Sequence, residues 1–124
     1  MKHSTHGTHL IAEYLECDSL ILNDAEQLEA LFLHAAETAG CAIINSEFHT
    51  FTPHGVSGIV IIAESHLSIH TWPEFKYAAV DMYTCGNANP EAAHEIVLKG
   101  LKSSKFYIKI LERGAGEIKI KKII

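Results

Sequence analysis

The reactive side chains of this sequence concentrate in one stretch, residues 64–74. It reads Glu-Ser-His-Leu-Ser-Ile-His-Thr-Trp-Pro-Glu and holds carboxylates, hydroxyls, two imidazoles and an indole. An apolar run, 59–63, precedes it and predicts a buried strand. A rigid strand that ends in reactive groups is a common way to build an active site. We therefore expect the chemistry at this strand end, with Cys85 and the segment 51–58 as its partners.

Residue types alone leave several chemistries open here. Ser65 with His66 or His70 could form a hydrolase pair, but the chain lacks the Gly-x-Ser-x-Gly turn that presents such a serine. His66 and His70 have the spacing of some zinc ligands, yet four residues along a strand separate two side chains by about 13 Å. Cys85 has an alternative as a buried small hydrophobe. Three early histidines leave a choice between a metal site and a loose terminus: His3, His6 and His9.

Composition favours one domain spanning residues 1–124. The chain is 48% hydrophobic and 20% charged, an ordinary globular balance. Its net charge of −5, without a basic stripe, argues against a nucleic-acid partner. We find neither a bilayer-spanning apolar run nor the h-region of a secretion signal, so we expect no membrane association and a cytoplasmic location. Three widely spaced cysteines fit a reducing compartment, and they form neither a disulfide framework nor a zinc pattern.

Apolar periodicity predicts the elements that position these groups. A helix is expected from Asn23 or Asp24 to Ala39, closed by Gly40, and a second one after Asn89-Pro90. Strands are predicted over 10–17, 41–51, 59–63, 77–83 and 106–111, with a short strand in the central stretch and a weak edge strand over 117–121.

The order of these elements predicts an α+β fold. We expect a two-layer sandwich in which a mainly antiparallel sheet carries two helices on one face. A turn at 53–55 joins two of the strands into a hairpin. The other face of the sheet must be covered or solvated, and a second copy of the chain would cover it, which favours a homo-oligomer.

Three motifs resemble the prokaryotic S-adenosylmethionine decarboxylase family. They are Phe48-His49-x-Phe51-x-Pro53-x-Gly55-Val56-Ser57-Gly58, the whole of 64–74, and Tyr77-Ala78-Ala79 followed by Asp81-Met82-Tyr83-Thr84-Cys85-Gly86. Ala12-Glu13 and Glu16-Cys17-Asp18 also fit. The motifs follow one another in order and at matching spacing over nearly the whole chain, and the combination of Glu-Ser-His, His-Thr-Trp-Pro-Glu and Thr-Cys-Gly is highly specific.

The resemblance implies a proenzyme that cuts itself between Glu64 and Ser65. The Ser65 hydroxyl attacks the Glu64 carbonyl to give an ester, and elimination leaves a dehydroalanine that loses ammonia. The products are a β chain, 1–64, and an α chain, 65–124, whose first residue is a pyruvoyl cofactor generated from Ser65. By resemblance, His70 is the base of this processing and Ser57 hydrogen-bonds the reacting carbonyl.

The implied activity is a carboxy-lyase reaction. The pyruvoyl ketone binds the amine of S-adenosylmethionine as a Schiff base and accepts the electrons released with CO2. Cys85 occupies the position of the acid that protonates the α carbon, giving S-adenosylmethioninamine for spermidine synthesis. Phe51 and Trp72 are the candidate aromatic contacts for adenine and sulfonium, with core packing as the alternative. Glu74 accepts hydrogen bonds from the ribose, and the Leu67 backbone contacts the adenine edge.

Some features keep other functions open. This chain has Lys76 where the family usually has glycine. A pyruvoyl-dependent arginine or ornithine decarboxylase would share the chemistry, but it would not need Glu74 and the aromatic residues. An unprocessed homologue that binds a nucleoside or regulates a partner would keep Trp72 without being cut. The resemblance implies an assembly of two α and two β chains with the active site near their interface.

Overall fold

An antiparallel sheet runs through the computed structural model, which describes residues 5–124. Its seven strands are β1 (Gly7–Leu15), β2 (Ile43–Thr50), β3 (Val56–Ile62), β4 (Ser65–Trp72), β5 (Tyr77–Cys85), β6 (Lys105–Arg113) and β7 (Lys119–Ile123). Their spatial order is β2-β3-β4-β5-β1-β6-β7, and each neighbouring pair is antiparallel. The reactive stretch therefore forms β4, close to the middle of the sheet.

Three helices accompany the sheet within these residues: α1 (Ser19–Leu22), α2 (Ala25–Thr38) and α3 (Pro90–Leu101). The two long ones confirm the sequence prediction. The Asp24 side chain caps α2 by accepting from the Gln27 amide, and the Asn89 side chain caps α3 in the same way. Helix α1 was not predicted, because four residues are too few to show a helical period. None of the helices is long and apolar enough to span a membrane.

The core lies between the long helices and one face of the sheet. Helices α2 and α3 pack on each other, α2 contacts β2 and β3, and α3 contacts β1 and β5. Burial alternates along the strands, as expected for a sheet with one covered face. The largest fully buried side chains include Leu10, Tyr14, Leu28, Phe32, Leu67, Ile69, Met82 and Leu101. The predicted two-layer α+β sandwich is thus the observed fold.

The opposite face of the sheet, which we call the open face, carries both reactive and apolar side chains. Its residues alternate with the buried ones: Ile11, Ser57, Ile61, His66, Ser68, His70, Trp72, Asp81, Tyr83, Cys85 and Tyr107. Apolar side chains on this face are markedly exposed, for example 41% for Ile61 and 55% for Tyr107. Contiguous apolar exposure beside polar groups is typical of an interaction surface.

The strand boundaries depart from the sequence predictions by up to three residues, and two strands show the cause. The central strand, expected to be short, spans all eight residues of β4 because β3 and β5 pair with it on both sides. Strand β1 begins at Gly7, three residues earlier than expected, because β5 and β6 both pair with it from Gly7 onwards. Tertiary pairing extends strands beyond the range where side-chain alternation is visible.

Candidate active site

A tight turn between β3 and β4 presents the peptide bond between Glu64 and Ser65. Ile62 and Ser65 are paired across the hairpin, so only Ala63 and Glu64 form the turn. Glu64 has a φ of 65°, in the left-handed region that is uncommon for residues with a side chain. The scissile bond proposed from the sequence thus follows a strained backbone position at an exposed hairpin tip.

The Cys85 thiol lies beside this bond. Its Sγ is 3.4 Å from Ser65 Oγ and 3.7 Å from the carbonyl oxygen of Glu64. The thiol comes from the last residue of β5, and the side chain is half-buried. A cavity of about 450 Å³ opens at the same place and is lined by Cys41, Ile62, Glu64 and Cys85, among others. A small reactant can therefore reach the Cys85 thiol, which contacts the Ser65 hydroxyl.

Ser57 and His70 form a second polar pair, further along the hairpin. The two residues are register partners on β3 and β4, and Ser57 Oγ lies 2.8 Å from Nδ1 of His70. They line an open-face cavity of about 390 Å³ together with His66 and Ser68. Five residues of extended strand separate His70 from Ser65, which corresponds to about 17 Å. A single chain does not bring this pair to the scissile bond.

The residues proposed for substrate binding gather at the His70 end of β4. Trp72 stacks on Tyr77 with ring centroids 5.2 Å apart and an angle of 25°. Phe51 is 48% exposed on the loop that joins β2 to β3, and Glu74 lies on the 3₁₀ turn Pro73–Phe75 that follows β4. Nε2 of His54 is 3.1 Å from a carboxylate oxygen of Glu74. Two aromatic faces and a carboxylate therefore share one end of the sheet.

Tyr77 is held in this group by Glu13, whose carboxylate accepts a hydrogen bond from the Tyr77 hydroxyl. Burial, and then this carboxylate, raise the pKa of Tyr77 to about 12. The phenol consequently remains a hydrogen-bond donor at neutral pH and keeps its ring against Trp72.

Leu67 is placed differently from the other residues predicted to bind substrate. Its side chain is fully buried in the core, and the strand around it is paired with β3 through Val60 and with β5 through Met82. Strands on both sides use the backbone groups of a central strand. The adenine contact of Leu67 stays a prediction.

A cluster that the sequence did not predict lies on the open face at the Ser65 end. Nε2 of His9 is 3.2 Å from Asp81, and Nδ1 of His9 is 3.3 Å from Nη1 of Arg113. The guanidinium also lies over the Tyr83 ring, 4.8 Å from its centroid. Because a guanidinium only donates, Nδ1 of His9 must accept, and the proton sits on Nε2 facing Asp81.

The surroundings keep His9 neutral. Burial is the main cause of its lowered pKa and outweighs the opposing effect of Asp81, while Arg113 and His66 lower it further. Gly7 makes room for the cluster, since a Cβ there would come within 2.5 Å of the Tyr83 ring. The cluster's members come from three strands that are distant in sequence, β1, β5 and β6, so no local motif connects them.

The family model for S-adenosylmethionine decarboxylase matches residues 8–114. The chain belongs to this family. It is 47% identical over 109 residues to the S-adenosylmethionine decarboxylase proenzyme of Thermotoga maritima, covering 87% of this chain and 84% of that protein. It is 45% identical over 114 residues to the proenzyme of Pyrococcus horikoshii, covering 91% and 82%. It is 47% identical over 118 residues to proenzyme 1 of Bacillus cereus, covering 94% and 91%.

The fold comparison agrees with the family. The crystal structure of the adenosylmethionine decarboxylase from Aquifex aeolicus superposes with a TM-score of 0.82 at 34% identity, covering 93% of this chain and 96% of that one. The family resemblance drawn from the motifs is thereby confirmed, and so is the α+β architecture.

Lys76, where the sequence departs from the family pattern, has an unusual backbone conformation. Lys76 has a φ of 54°, so the position that is usually glycine in the family requires a left-handed backbone. Its amide donates to Pro73 and its carbonyl accepts from Cys17, which closes the 3₁₀ turn and ties it to the segment after β1. The lysine side chain is exposed.

The other cysteines and the histidines show no second reactive centre in the described part of the chain. All three cysteines are free, burial raises the pKa of Cys17 to about 11, and burial also raises the pKa of Cys41. Among residues 5–124 no group of three or more His, Cys, Asp or Glu side chains could hold a metal ion. His3, one of the three early histidines, lies outside the described residues.

Proposed function

We propose that the chain is a self-processing, pyruvoyl-dependent decarboxylase that converts S-adenosylmethionine to S-adenosylmethioninamine and CO2, for spermidine synthesis in the cytoplasm. The observation that carries the proposal is the hairpin tip: a left-handed Glu64, the Ser65 hydroxyl, and the Cys85 thiol within 4 Å of both. A serine and a thiol at a strained peptide have a use in self-cleavage followed by decarboxylation, and neither is needed to stabilise a hairpin.

Self-cleavage would begin at the Ser65 hydroxyl. Its Oγ attacks the Glu64 carbonyl carbon, the C–N bond breaks, and an ester joins the two residues while the amide nitrogen becomes an amine. Removal of the Ser65 Cα proton then expels the Glu64 carboxylate and leaves a dehydroalanine. Water replaces its nitrogen, which leaves as ammonia. The fragments are the β chain 1–64 and the α chain 65–124.

The base and the carbonyl donor of this processing would come from a second copy. His70 and Ser57 lie about 17 Å from Ser65 along β4. In such a dimer the two open faces would stack on each other, related by a two-fold axis that lies between them and runs across the strands. This axis reverses the strand direction, so the His70 end of one β4 would lie over the Ser65 end of the other. Both sites of such a dimer are complete, and the exposed apolar side chains of the open face are covered.

The residues around Ser65 fit the pyruvoyl group that this processing generates. The precursor serine stands at the start of a strand, with a thiol 3.4 Å from its Oγ and a cavity beside it. The group supplies a carbonyl that takes up the substrate amine and the electrons released with CO2. Cys85 would deliver its thiol proton to the substrate α carbon, since the Sγ already faces the atoms of residue 65.

The far end of β4 favours a nucleoside substrate over arginine or ornithine. Trp72 and Phe51 offer exposed aromatic faces for the adenine ring and the sulfonium cation. The Glu74 carboxylate can accept from both ribose hydroxyls. In the dimer described above, this end of one chain would lie over the Ser65 of the other.

An intact mass spectrum of the denatured protein tests the proposal. We expect two fragments that divide after Glu64, the second of them carrying the pyruvoyl group. Reduction with borohydride in the presence of S-adenosylmethionine is expected to add the decarboxylated substrate to the second fragment. Ser65→Ala should give one intact chain. The control is Ser104→Ala, which replaces a distant serine that donates a hydrogen bond to Glu16, and it should be cut normally.

Other outcomes would contradict the proposal in distinct ways. One uncut wild-type chain would favour the unprocessed nucleoside-binding homologue. Cleavage with an adduct from arginine or ornithine, and none from S-adenosylmethionine, would keep the chemistry and replace the substrate.

A further inference from the structure

A single side-chain contact joins the two segments that carry the proposed nucleoside contacts. The loop 51–55 connects β2 to β3, and the 3₁₀ turn Pro73–Phe75 connects β4 to β5. Nε2 of His54, from the loop, lies 3.1 Å from Oε1 of Glu74, from the turn. The loop also bears Phe51, so one imidazole links the aromatic contact to the carboxylate.

The loop that bears His54 is fixed by backbone hydrogen bonds. The Phe51 amide donates to the Gly55 carbonyl over 2.8 Å, which closes the loop on itself. The Gly55 amide donates to the side-chain oxygen of Asn23 over 2.8 Å, which ties the loop to the residue after α1. The imidazole is therefore presented from a defined backbone.

The strand ends beside the loop are fixed as well. The Thr71 hydroxyl donates to the Leu22 carbonyl over 2.7 Å and accepts from the Val56 amide over 2.9 Å. These buried bonds hold the end of β4, and hence the turn that carries Glu74. An exposed ion pair between free side chains contributes little, because ordering both costs entropy. Here the two backbones already hold the partners at contact distance, which reduces that cost.

The contact leaves Glu74 able to bind a diol. A carboxylate has about four acceptor positions on its two oxygens, and His54 lies beside only one of those oxygens. Both side chains are about 40% exposed, so the remaining acceptor positions are accessible. An imidazole 3.1 Å from one oxygen restricts the rotation of the carboxylate, and a restricted carboxylate presents two acceptors to two adjacent hydroxyls at lower entropic cost.

We propose that His54 is a positioning residue for ribose recognition: it orients Glu74 towards the 2′ and 3′ hydroxyls of the nucleoside. This inference rests on the proposed function, in which Glu74 is the ribose acceptor. His54 acts through Glu74 and touches no reacting atom. It lies at the opposite end of β4 from Ser65 of its own chain.

The test measures equilibrium binding of 5′-methylthioadenosine, a nucleoside without an amine, to the processed protein by calorimetry. His54→Phe keeps a ring and removes the donor, and we expect binding to weaken about fivefold to tenfold. His54→Gln keeps an N–H donor and should bind nearly as the wild type does. His34→Phe, on the exposed side of α2, is the matched control and should change nothing.

Two comparisons separate a positioning role from a general structural one. On a Glu74→Gln background, His54→Phe should cause no further loss. With 2′,3′-dideoxy-5′-methylthioadenosine, wild type and His54→Phe should bind equally. Additive losses in the double variant, or an equal loss with the dideoxy ligand, would overturn the inference. So would a His54→Phe variant that binds 5′-methylthioadenosine as tightly as the wild type while Glu74→Gln binds it weakly.

Failure of the proposed function would look different. If Glu74→Gln alone binds 5′-methylthioadenosine as the wild type does, Glu74 is not the ribose acceptor, and the inference about His54 is overturned with it. The extent of self-cleavage in each variant reports on folding independently of nucleoside binding.

Discussion

Ser65 and His70 lie five residues apart on the same strand, Ser65 at its start and His70 two residues before its end. Extended backbone places them about 17 Å from each other, a distance that no rotamer of either side chain spans. His70 meanwhile has its own partner, the Ser57 hydroxyl at 2.8 Å. If His70 is the base of self-cleavage, it acts on the Ser65 of another chain.

Complementation between two inactive variants follows from this arrangement. Ser65→Ala and His70→Ala chains, each expressed alone, are expected to remain uncut or to be cut more than about 10²-fold more slowly. When the two variants are co-expressed with different tags, we expect mixed dimers. One site of each mixed dimer then combines Ser65 of the His70→Ala chain with His70 of the Ser65→Ala chain. We expect the His70→Ala chain, and only that chain, to be cleaved, as mass spectrometry of the tagged fragments will show.

The control for complementation is a mixture of Ser65→Ala with a Ser65→Ala/His70→Ala double variant, which has no complete site. Native mass spectrometry verifies that mixed dimers are present. Mixed dimers in which the His70→Ala chain stays intact would contradict a shared site.

Replacement of Cys85 separates the two reactions of the proposed mechanism. A thiol is a weak hydrogen-bond donor, so its loss from the Glu64 carbonyl should slow self-cleavage only modestly. Loss of the proton donor should lower kcat by about 10²-fold to 10⁴-fold. Cys85→Ala is therefore expected to be cut to completion and to release CO2 from labelled substrate slowly. Cys41→Ala, which removes the other cysteine of the same cavity, should retain activity, and unchanged turnover in Cys85→Ala would exclude its role.

The sequence predicted most of the elements because local signals agreed with tertiary ones. Helix α2 had an acidic cap at Asp24 and a glycine at its end, and α3 had Asn89-Pro90 at its start. The specific motif at β4 identified the family, whereas the roles of Glu64, Ser65 and the other site residues stay predictions.

The remaining features depend on relationships between distant segments. The His9 cluster needs the register of β1 with β5 and β6, and no spacing in the sequence encodes that register. The separation of Ser65 from His70 became definite only when both residues proved to lie on one continuous strand, β4. Periodicity predicts which residues share a face, whereas the partner that covers the face is a property of the assembly.

Lys76 offers a test of backbone strain without chemistry. A left-handed backbone costs a residue with a side chain about 1–2 kcal/mol relative to glycine, and the greater freedom of glycine in the unfolded chain returns part of this. In a Ser65→Ala background, which remains one chain, Lys76→Gly should raise the free energy of unfolding by about 0.5–1 kcal/mol in urea. Lys76→Ala removes the charge but not the strain and should not stabilise. Equal gains in both variants would assign the effect to the charge.

A buried histidine makes stability depend on pH. His94 is 3% exposed, its Nδ1 lies 2.6 Å from the Tyr14 hydroxyl, and Phe106 packs against its ring. Burial lowers the pKa of His94, although Glu95 and Glu91 oppose this. As the pH falls through the ordinary histidine range near 6.5, the unfolded chain takes up the proton first. Stability due to His94 is thus fully present above that range and is lost below it.

We therefore expect the unfolding free energy to fall between pH 7.5 and pH 5.5 through this residue. His94→Gln keeps an acceptor for Tyr14 and removes the titration, so in the Ser65→Ala background its urea stability should fall less steeply with acidity than that of the parent. His9, whose pKa is also lowered by burial, contributes to both slopes equally and cancels in the comparison. Parallel slopes for the two proteins would show that His94 takes up its proton in the folded state as readily as in the unfolded one, and that the Tyr14 contact does not depend on its neutral form.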